Sequence, residues 1–597
     1  MARWTCFTVA IMWSFGLQSA LAATYYIAAN GSDSYTSAQA QSKLTPWAHA
    51  PGMACATSNA KSYSPVPGDK FEFRIGDVWG SACLGGWTIS NSGSSGNPIF
   101  YGNDDPTWVA SAMPLGSVTI NTAGSGCSAN VTPMSFSGGG GSGAAGVVYS
   151  KGGVPWAAIL TNQGSGYTSS PTVMADSSCT GTTLTANLEN RPILSCGGAV
   201  CSGNSSRNVY IWISTGANYV TIDNFEFTGG YFTAAGGYGD NLYINTQVST
   251  YADIKNNYFH GETSSDGTPN LFCINSATYM PPGNNTGQVI EYNVFDGSDD
   301  AGVQADPNCT GNCYCDFAAV SSGPIVSHNV MRFTTQGYVG VVQQFNDNLI
   351  EYERHNANEG TYHPNAFENN TDPCTGLLFY NNVIRHTVAG VNIWIAPEAG
   401  CTPSYAWNNV TYDTMTGNVF YIGDALTSPG GTLYTYNNTL EGGPDSSPSA
   451  VCFTVAGGTA MHLTFENNHC VTNNSSILFQ SNGSATVTRT TNVLQTKSVA
   501  NGQGYSATQT YAFSPTATGN STVGMGTSLT GLCSSSLTLC TDTTYSVIYN
   551  AAAHTAVSPA RTTSGRPASL PWDIGAFQFG GSSNPPNPVT VTVQKVN

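Results

Sequence analysis

Charge is scarce in this sequence: 9% of its 597 residues are charged, and 17 lysines and arginines face 34 aspartates and glutamates. A phosphate backbone would meet a repulsive surface rather than a steering one, which argues against nucleic acid as a partner. Beyond the first two dozen residues no stretch reaches the roughly 18 apolar residues that a membrane-spanning helix needs. Long amphipathic helical patterns are scarce as well, which leaves little room for an α-helical architecture.

Arg3, the apolar run Trp4 to Leu17 and the small-residue site Ala20-Leu21-Ala22 have the order and length of a secretory signal peptide, predicting a mature chain from about Ala23. Cleavage would remove Cys6 and leave 16 of 17 cysteines, an even number suited to a compartment where disulfides persist. The expected location is extracellular or at the cell surface. Short spacings suggest Cys196 with Cys201, Cys533 with Cys540, and bridges within Cys309, Cys313 and Cys315. A zinc site at that last cluster lacks a second ligand pair at zinc-finger spacing, so no metal site is assigned.

What is abundant is glycine, 67 residues, with asparagine, threonine, serine and tyrosine, the composition of a turn-rich all-β chain. From residue 220 one phrase recurs: an apolar strand, then Asn or Asn-Asn, then another apolar residue. Its copies include TIDNFEF, IKNNYFH, IEYNVFD, VSHNVMR, FYNNVIR and AWNNVTY. Aligned on the second Asn they give Asn224, Asn257, Asn293, Asn329, Asn348, Asn382, Asn409, Asn438, Asn468 and Asn492, at intervals of 19 to 36 residues. Such a period describes stacked coils with loop insertions. Asn tolerates left-handed backbone angles and bonds neighbouring main chain, so stacked corners should form an Asn ladder. The same register makes Cys374 and Cys401, each seven residues before an Asn of its coil, stacked neighbours, with Cys452 and Cys470 a further pair.

The flanking phrases TYYIAANGSDSYTSAQAQSKLTPWAHA, VPGDKFEFRIGDVW, SGSSGNPIFYG and RPASLPWDIGAFQFG, in this order around an Asn ladder, resemble right-handed parallel β-helix proteins of the pectate-lyase-like superfamily. The resemblance covers about residues 24 to 110 and 190 to 580 and implies a fold rather than a single activity, because that superfamily includes lyases, hydrolases, epimerases and adhesins. The expected organisation is a signal peptide (1–22), an N-terminal cap with the first coils (23–111), an inserted Gly-rich β module (112–190), the main β-helix (191–580) and a linker-like tail (581–597). The insertion is either a small binding domain or a decorative loop domain closed by Cys127 and Cys179. The tail changes to Pro, Asn and Val, as a linker or a frayed terminal strand would.

Proteins of this resemblance act along a shallow groove on one sheet, so acids and aromatic platforms beside such a groove are the candidates. FDGSDDAGVQADPN supplies Asp296, Asp299, Asp300 and Asp306; ERHNANEGTYHPNAFENN supplies His355, Glu359, His363 and Glu368. Glycoside hydrolysis needs two carboxyls about 5 to 9.5 Å apart, and stacking permits Asp299 or Asp300 to pair with Glu359 or Glu368. The ordinary alternative is that Asp-rich loops cap turns and face water. Aligning His363 with Gly390 turns His363, Asn365, Phe367, Asn392 and Trp394 outward if Ala366 and Ile393 point inward. The His355, Glu359, His363 spacing would bind metal only on a helix, and this is a Gly-containing loop.

Calcium-dependent pectate lyases, within the resemblance, combine acidic calcium ligands with a base, so calcium is the cofactor to test. Here the residues three after the ladder Asn, His260, Asp296, Arg332, Glu351, Arg385, Tyr412 and Glu441, read as a charge stripe that favours strand register. No assembled lyase or polygalacturonase signature is evident. Two residues before the ladder Asn stand Tyr380, Trp407 and Tyr436, an outward stripe that is either a sugar-stacking platform or a stiffener buried under a loop. Two functions are compatible with these residues: a lyase or hydrolase acting on an extracellular polysaccharide, or a non-catalytic surface, matrix or adhesin-like protein that binds glycan. Oligomeric state is not readable from the chain.

Overall fold

Where the corner phrase recurs, the chain turns. In the computed structural model, which describes residues 22–580 apart from internal stretches, the longest of them 233–240, 276–286, 300–317 and 354–364, a coil takes three strands. One coil comprises Leu378–Tyr380, Val383–Arg385 and Val391–Ile395, and the next begins at Ser404–Trp407. Each strand pairs in parallel with its counterpart one coil on. Among the described residues this repetition builds three long sheets of 13, 13 and 11 strands. The architecture is the expected all-β right-handed parallel β-helix, the hand that strand-to-strand crossovers adopt almost without exception.

The corner between the first and second sheets divides its work between two adjacent residues. The first takes the left-handed conformation, as Asn256, Asn381, Asn408, Asn437 and Asn467 do at φ 51 to 58°. The second is the ladder residue. Asn382 donates both its backbone N–H and its Nδ2 to Oδ1 of Asn409, each at 3.0 Å, and its Nδ2 also reaches the carbonyl of Phe345 at 2.9 Å. The same relay runs through Asn257, Asn293, Asn329, Asn348, Asn382, Asn409, Asn438, Asn468 and Asn492. Asn224 does not belong to it. It is the left-handed residue of its corner (φ 58°), and Phe225 stands at the ladder position, donating its N–H to Asn257.

Inside, like stacks on like. Ile222, Ile254, Ile290, Val326, Phe345 and Phe379 form one inward column of the first sheet, all fully buried. Phe227, Phe259 and Phe295 do the same on the second, with centroids 4.7 and 4.9 Å apart. A ring withdrawn from water on this scale contributes about 1.5–3 kcal/mol, and the column repeats it at every coil. Five bridges lie among the described residues: Cys55–Cys83, Cys127–Cys179, Cys196–Cys201, Cys452–Cys470 and Cys533–Cys540. Cys401 is disulfide-bonded, while Cys374, Cys309, Cys313 and Cys315 lie outside the described residues.

The insertion is antiparallel, unlike the coils. Leu115–Thr122 pairs with Thr183–Leu188, and four further strands between Val131 and Ala175 form a second sheet around Val148, Tyr167 and Met134. It leans on the outer face of the helix's second sheet through Trp156, beside Phe333 and Tyr352, and through Gln163, which donates to Glu226 at 2.7 Å. Farther along that face Tyr545, Val547 and Phe577 close over Val294, Val330 and Leu349, and Ala500, Tyr505, Ala512 and Phe513 pack with Val471 and Tyr412. The predicted charge stripe runs in register beneath them, His260 against Asp296, Arg332, Glu351 and Arg385.

Adjacent corner residues should therefore respond in opposite ways. Asn382→Ala strands buried partners in two coils and should cost about 2–4 kcal/mol in denaturant unfolding. Asn381→Gly keeps the left-handed angle that glycine adopts freely and should change stability by no more than about 1 kcal/mol.

Candidate functional site

The third sheet was expected to carry the acids and amides, and its register moves several of them. Phe367 pairs with Ile393 and Glu368 with Trp394, so Phe367 is a core residue, fully buried against Tyr338 and Phe379, and Glu368 takes the outward place. Asn392 is also inward, in the column of Ala366 and Val419, its Oδ1 accepting from Thr387 at 2.6 Å. The cause is a bend at which two successive residues turn inward, as Tyr210 with Ile211 and Tyr243 with Ile244 do. Glu368 is itself buried, accepting from Asn365 Nδ2 at 2.6 Å, and Asn365 Oδ1 accepts the Val391 N–H at 2.8 Å. Trp394 is 8% exposed and donates its indole N–H to Gly423. Asp300, Glu359 and His363 lie outside the described residues.

Asp299 belongs to a different face. Its two oxygens take His260 Nδ1 at 2.7 Å and the Gly261 N–H at 3.0 Å, while His260 Nε2 meets Glu226 at 2.8 Å. Burial works against a charge on His260, but the two carboxylates outweigh it and hold its pKa well above the usual value. Asp299 and Glu368 are thus held by separate partners on separate sheets, not as one acid pair. Asp296 is raised by burial despite Arg332, whereas Glu351, equally buried, is held low by Arg385 and Arg332. These groups bond strand to strand, the structural role expected of the stripe.

The aromatic stripe is in line as expected, Tyr380 beside Trp407 beside Tyr436, with Phe379, Ala406 and Thr435 inward. Tyr380 and Trp407 stack at 4.2 Å and 9°. Trp407 is fully buried, however, and Tyr436 nearly so, beneath Leu529, Leu539 and Trp572. As sugar platforms these two are corrected to covered residues, because chain from beyond the last coil folds back over them. Tyr380 remains half-buried.

One column over, the same strands leave rings within reach of solvent. Tyr405 and Tyr434 are half-buried, paired in register and stacked at 5.0 Å and 20°. They continue a column of half-buried residues from Val289 through Ile325, Gln344 and Leu378. Gln344 donates to the Tyr380 hydroxyl at 2.9 Å. The signal was present in SYAW and LYTY, where aromatics two apart must share a face.

At the N-terminal end of this face stand Asp223, Asp253, Lys255 and Glu291, on neighbouring strands. Asp253 pairs with Lys255 at 2.8 Å and Asp223 accepts from Asn256 at 2.8 Å. Burial pushes Asp223 up to about 6 and raises Glu291. These carboxylates have a lysine and an amide as partners, and among the described residues they do not gather at metal-binding distances. The one His/Cys group at metal-binding distance among the described residues, His49 with Cys55 and Cys83, has its sulfurs bonded to each other.

The raised Asp223 carboxyl has a sign that can be checked. Its proton is held more tightly folded than unfolded, so its burial is harmless below about pH 4 and costs stability as pH rises toward 6 and beyond. Asp223→Asn, which keeps the acceptor for Asn256, should be more stable than the parent by about 2–3 kcal/mol at pH 8 in denaturant titrations and equal to it near pH 3.5.

No family model and no curated protein matches the chain. Among solved structures it is similar to pectate lyase Pel9A, with 13% identity over 93% of this chain and 96% of that one and a TM-score of 0.33. It is also similar to the GH136 lacto-N-biosidase from Eubacterium ramulus (9% identity, 79% and 68% covered, TM-score 0.32) and to XylC in complex with xylose (11%, 77% and 69%, 0.30). At these values the likenesses give no residue here a role, and the fold rests on the strand order above.

Proposed function

We propose that this is a secreted β-helix protein that binds an extracellular polysaccharide along the outer face of its first sheet. The observation that carries the reading is the stacked, half-buried pair Tyr405 and Tyr434, in line with Leu378 and Gln344 and beside Tyr380. Flat rings with an apolar face and a polar edge suit the CH-rich faces and hydroxyl rims of sugars. Successive coils rise by about 4.8 Å, so the face offers a repeating unit in one direction, as a linear glycan does. The amide and hydroxyl groups of the column suit an uncharged chain.

Binding is favoured over catalysis by the engaged state of Asp299, Glu368 and Asp253. Hydrolysis needs one carboxyl free to donate and another to attack or activate water. Asp299 is engaged by His260, Glu368 by Asn365, and Asp253 by Lys255. Asp300, Glu359 and His363 remain proposals for a lyase or hydrolase centre, the second activity to be read in the same assay.

The test is retention and turnover on a polysaccharide panel, with and without calcium. Tyr405→Ala/Tyr434→Ala should weaken retention about five- to hundredfold, the loss of two stacking contacts of about 0.5–1.5 kcal/mol each, measured well below the lowered melting temperature that losing two half-buried rings brings. Full retention by the double variant would place the glycan elsewhere. New reducing ends or unsaturated uronates from the parent protein would replace the binding reading with an enzymatic one.

A further inference from the structure

Three side chains with metal-binding atoms meet in the loops at the N-terminal end of the solenoid. The ring of His49 and the sulfurs of Cys55 and Cys83 each bring one such atom within 4.8 Å of the other two. Cys55 and Cys83 are bridged, and all three residues are half-buried, so the group is within reach of solvent.

His49 is held as a metal-binding histidine is held. Its Nδ1 meets Asp33 Oδ2 at 2.8 Å, and among the described residues its Nε2 has no hydrogen-bond partner. A carboxylate on the far nitrogen fixes the tautomer and makes the imidazole a better ligand. Asp33 is itself buried and firmly placed. Its Oδ1 accepts the Ala48 and His49 N–H groups at 3.1 and 3.0 Å, and its Oδ2 also accepts the Thr57 N–H at 2.8 Å. One carboxylate thus fastens the histidine and the chain just after Cys55.

Contacts without sulfur keep the two cysteines beside that ring. Ala54 donates to the Cys83 carbonyl at 3.1 Å, and the Trp79 indole donates to the Ala48 carbonyl at 2.9 Å. Trp47, Trp79, Leu84 and Trp87 belong to the buried core of this end. Zinc takes thiolate sulfur at about 2.3 Å and imidazole nitrogen at about 2.0–2.1 Å, which sets tetrahedral ligand atoms about 3.5–3.8 Å apart. That spacing lies inside the 4.8 Å over which these three atoms are gathered. Two thiolates balance the charge of a divalent ion, and solvent fills the fourth position.

We propose that His49, Cys55 and Cys83 are a redox-gated site for a divalent ion of the zinc class, with Asp33 as its positioning residue. A dithiol reductant gives the bridge two electrons and two protons and leaves as its own disulfide. The ion then displaces the two thiol protons and binds His49 through Nε2, its own oxidation state unchanged. In the oxidised chain the sulfurs occupy each other and the ion is excluded. The same loops are therefore linked by sulfur in an oxidising medium and by metal in a reducing one.

Alkylation of the full chain, mapped by mass spectrometry, tests this cysteine by cysteine. After reduction with a dithiol that is then removed, added zinc should slow alkylation of Cys55 and Cys83 at least roughly tenfold. His49→Ala should remove that protection, and Asp33→Asn should weaken zinc affinity about 10–100-fold. Cobalt in place of zinc should give a thiolate-to-metal absorption band in the reduced parent, weaker in Cys55→Ser/Cys83→Ser and missing from the oxidised parent. Equal alkylation rates with and without zinc overturn the proposal, as does protection that survives His49→Ala or a cobalt band unchanged in the double serine variant. Loss of near-ultraviolet dichroism on reduction that zinc does not restore overturns it too, because the site requires these loops to stand without their bridge.

Discussion

From Asn293 on, each ladder asparagine lets one amide do what a corner could not otherwise do: its Oδ1 receives two N–H groups from the coil before it, and its Nδ2 reaches a carbonyl of that same earlier coil. A tight corner leaves backbone groups without sheet partners, and buried groups of that kind are costly unless bonded. Because the relay is continuous from Asn257 to Asn492, it fixes the register of every coil in between. Register then decides which side chains stack inside and which form columns outside.

Those outer columns meet different fates. The second sheet is roofed by the insertion and by residues that follow the last coil, among them Tyr505, Phe513, Tyr545 and Phe577, so its charges are withdrawn from water and bond one another, Arg332 between Asp296 and Glu351, and Arg385 on Glu351. Removing a single partner there would leave a buried charge alone, the most damaging kind of change. Among the described residues the first sheet is roofed over Trp407 and Tyr436, while Tyr405 and Tyr434, packed against the edge of that cluster, and Gln344 stay half-buried. The half-open column proposed to hold glycan is thus bounded by the returning chain.

The coil repeat was legible because it is local: Asn-Asn between apolar residues marks a corner wherever it occurs. It misled at TIDNFEF, where a single Asn fills the left-handed place and Phe225 the ladder place, since one Asn cannot say which of two adjacent roles it takes. Period-two reasoning failed at Phe367 and Asn392 for a related reason, the third-sheet bend, which turns consecutive residues inward. It succeeded at Phe379, Ala406 and Thr435, where the strand is straight. What no local pattern carried is the packing of Leu529, Leu539 and Trp572 onto Trp407, a contact across more than a hundred residues. The outward direction of Trp407 could be read from the sequence; its cover could not.

A crystal structure of the protein with a bound oligosaccharide tests the central claim most directly. The account predicts sugar rings lying along the first sheet, stacked on Tyr405 and Tyr434 and running parallel to the solenoid axis. A ligand seated on the third sheet beside Glu368 and Trp394, with the two tyrosines bare, would contradict it.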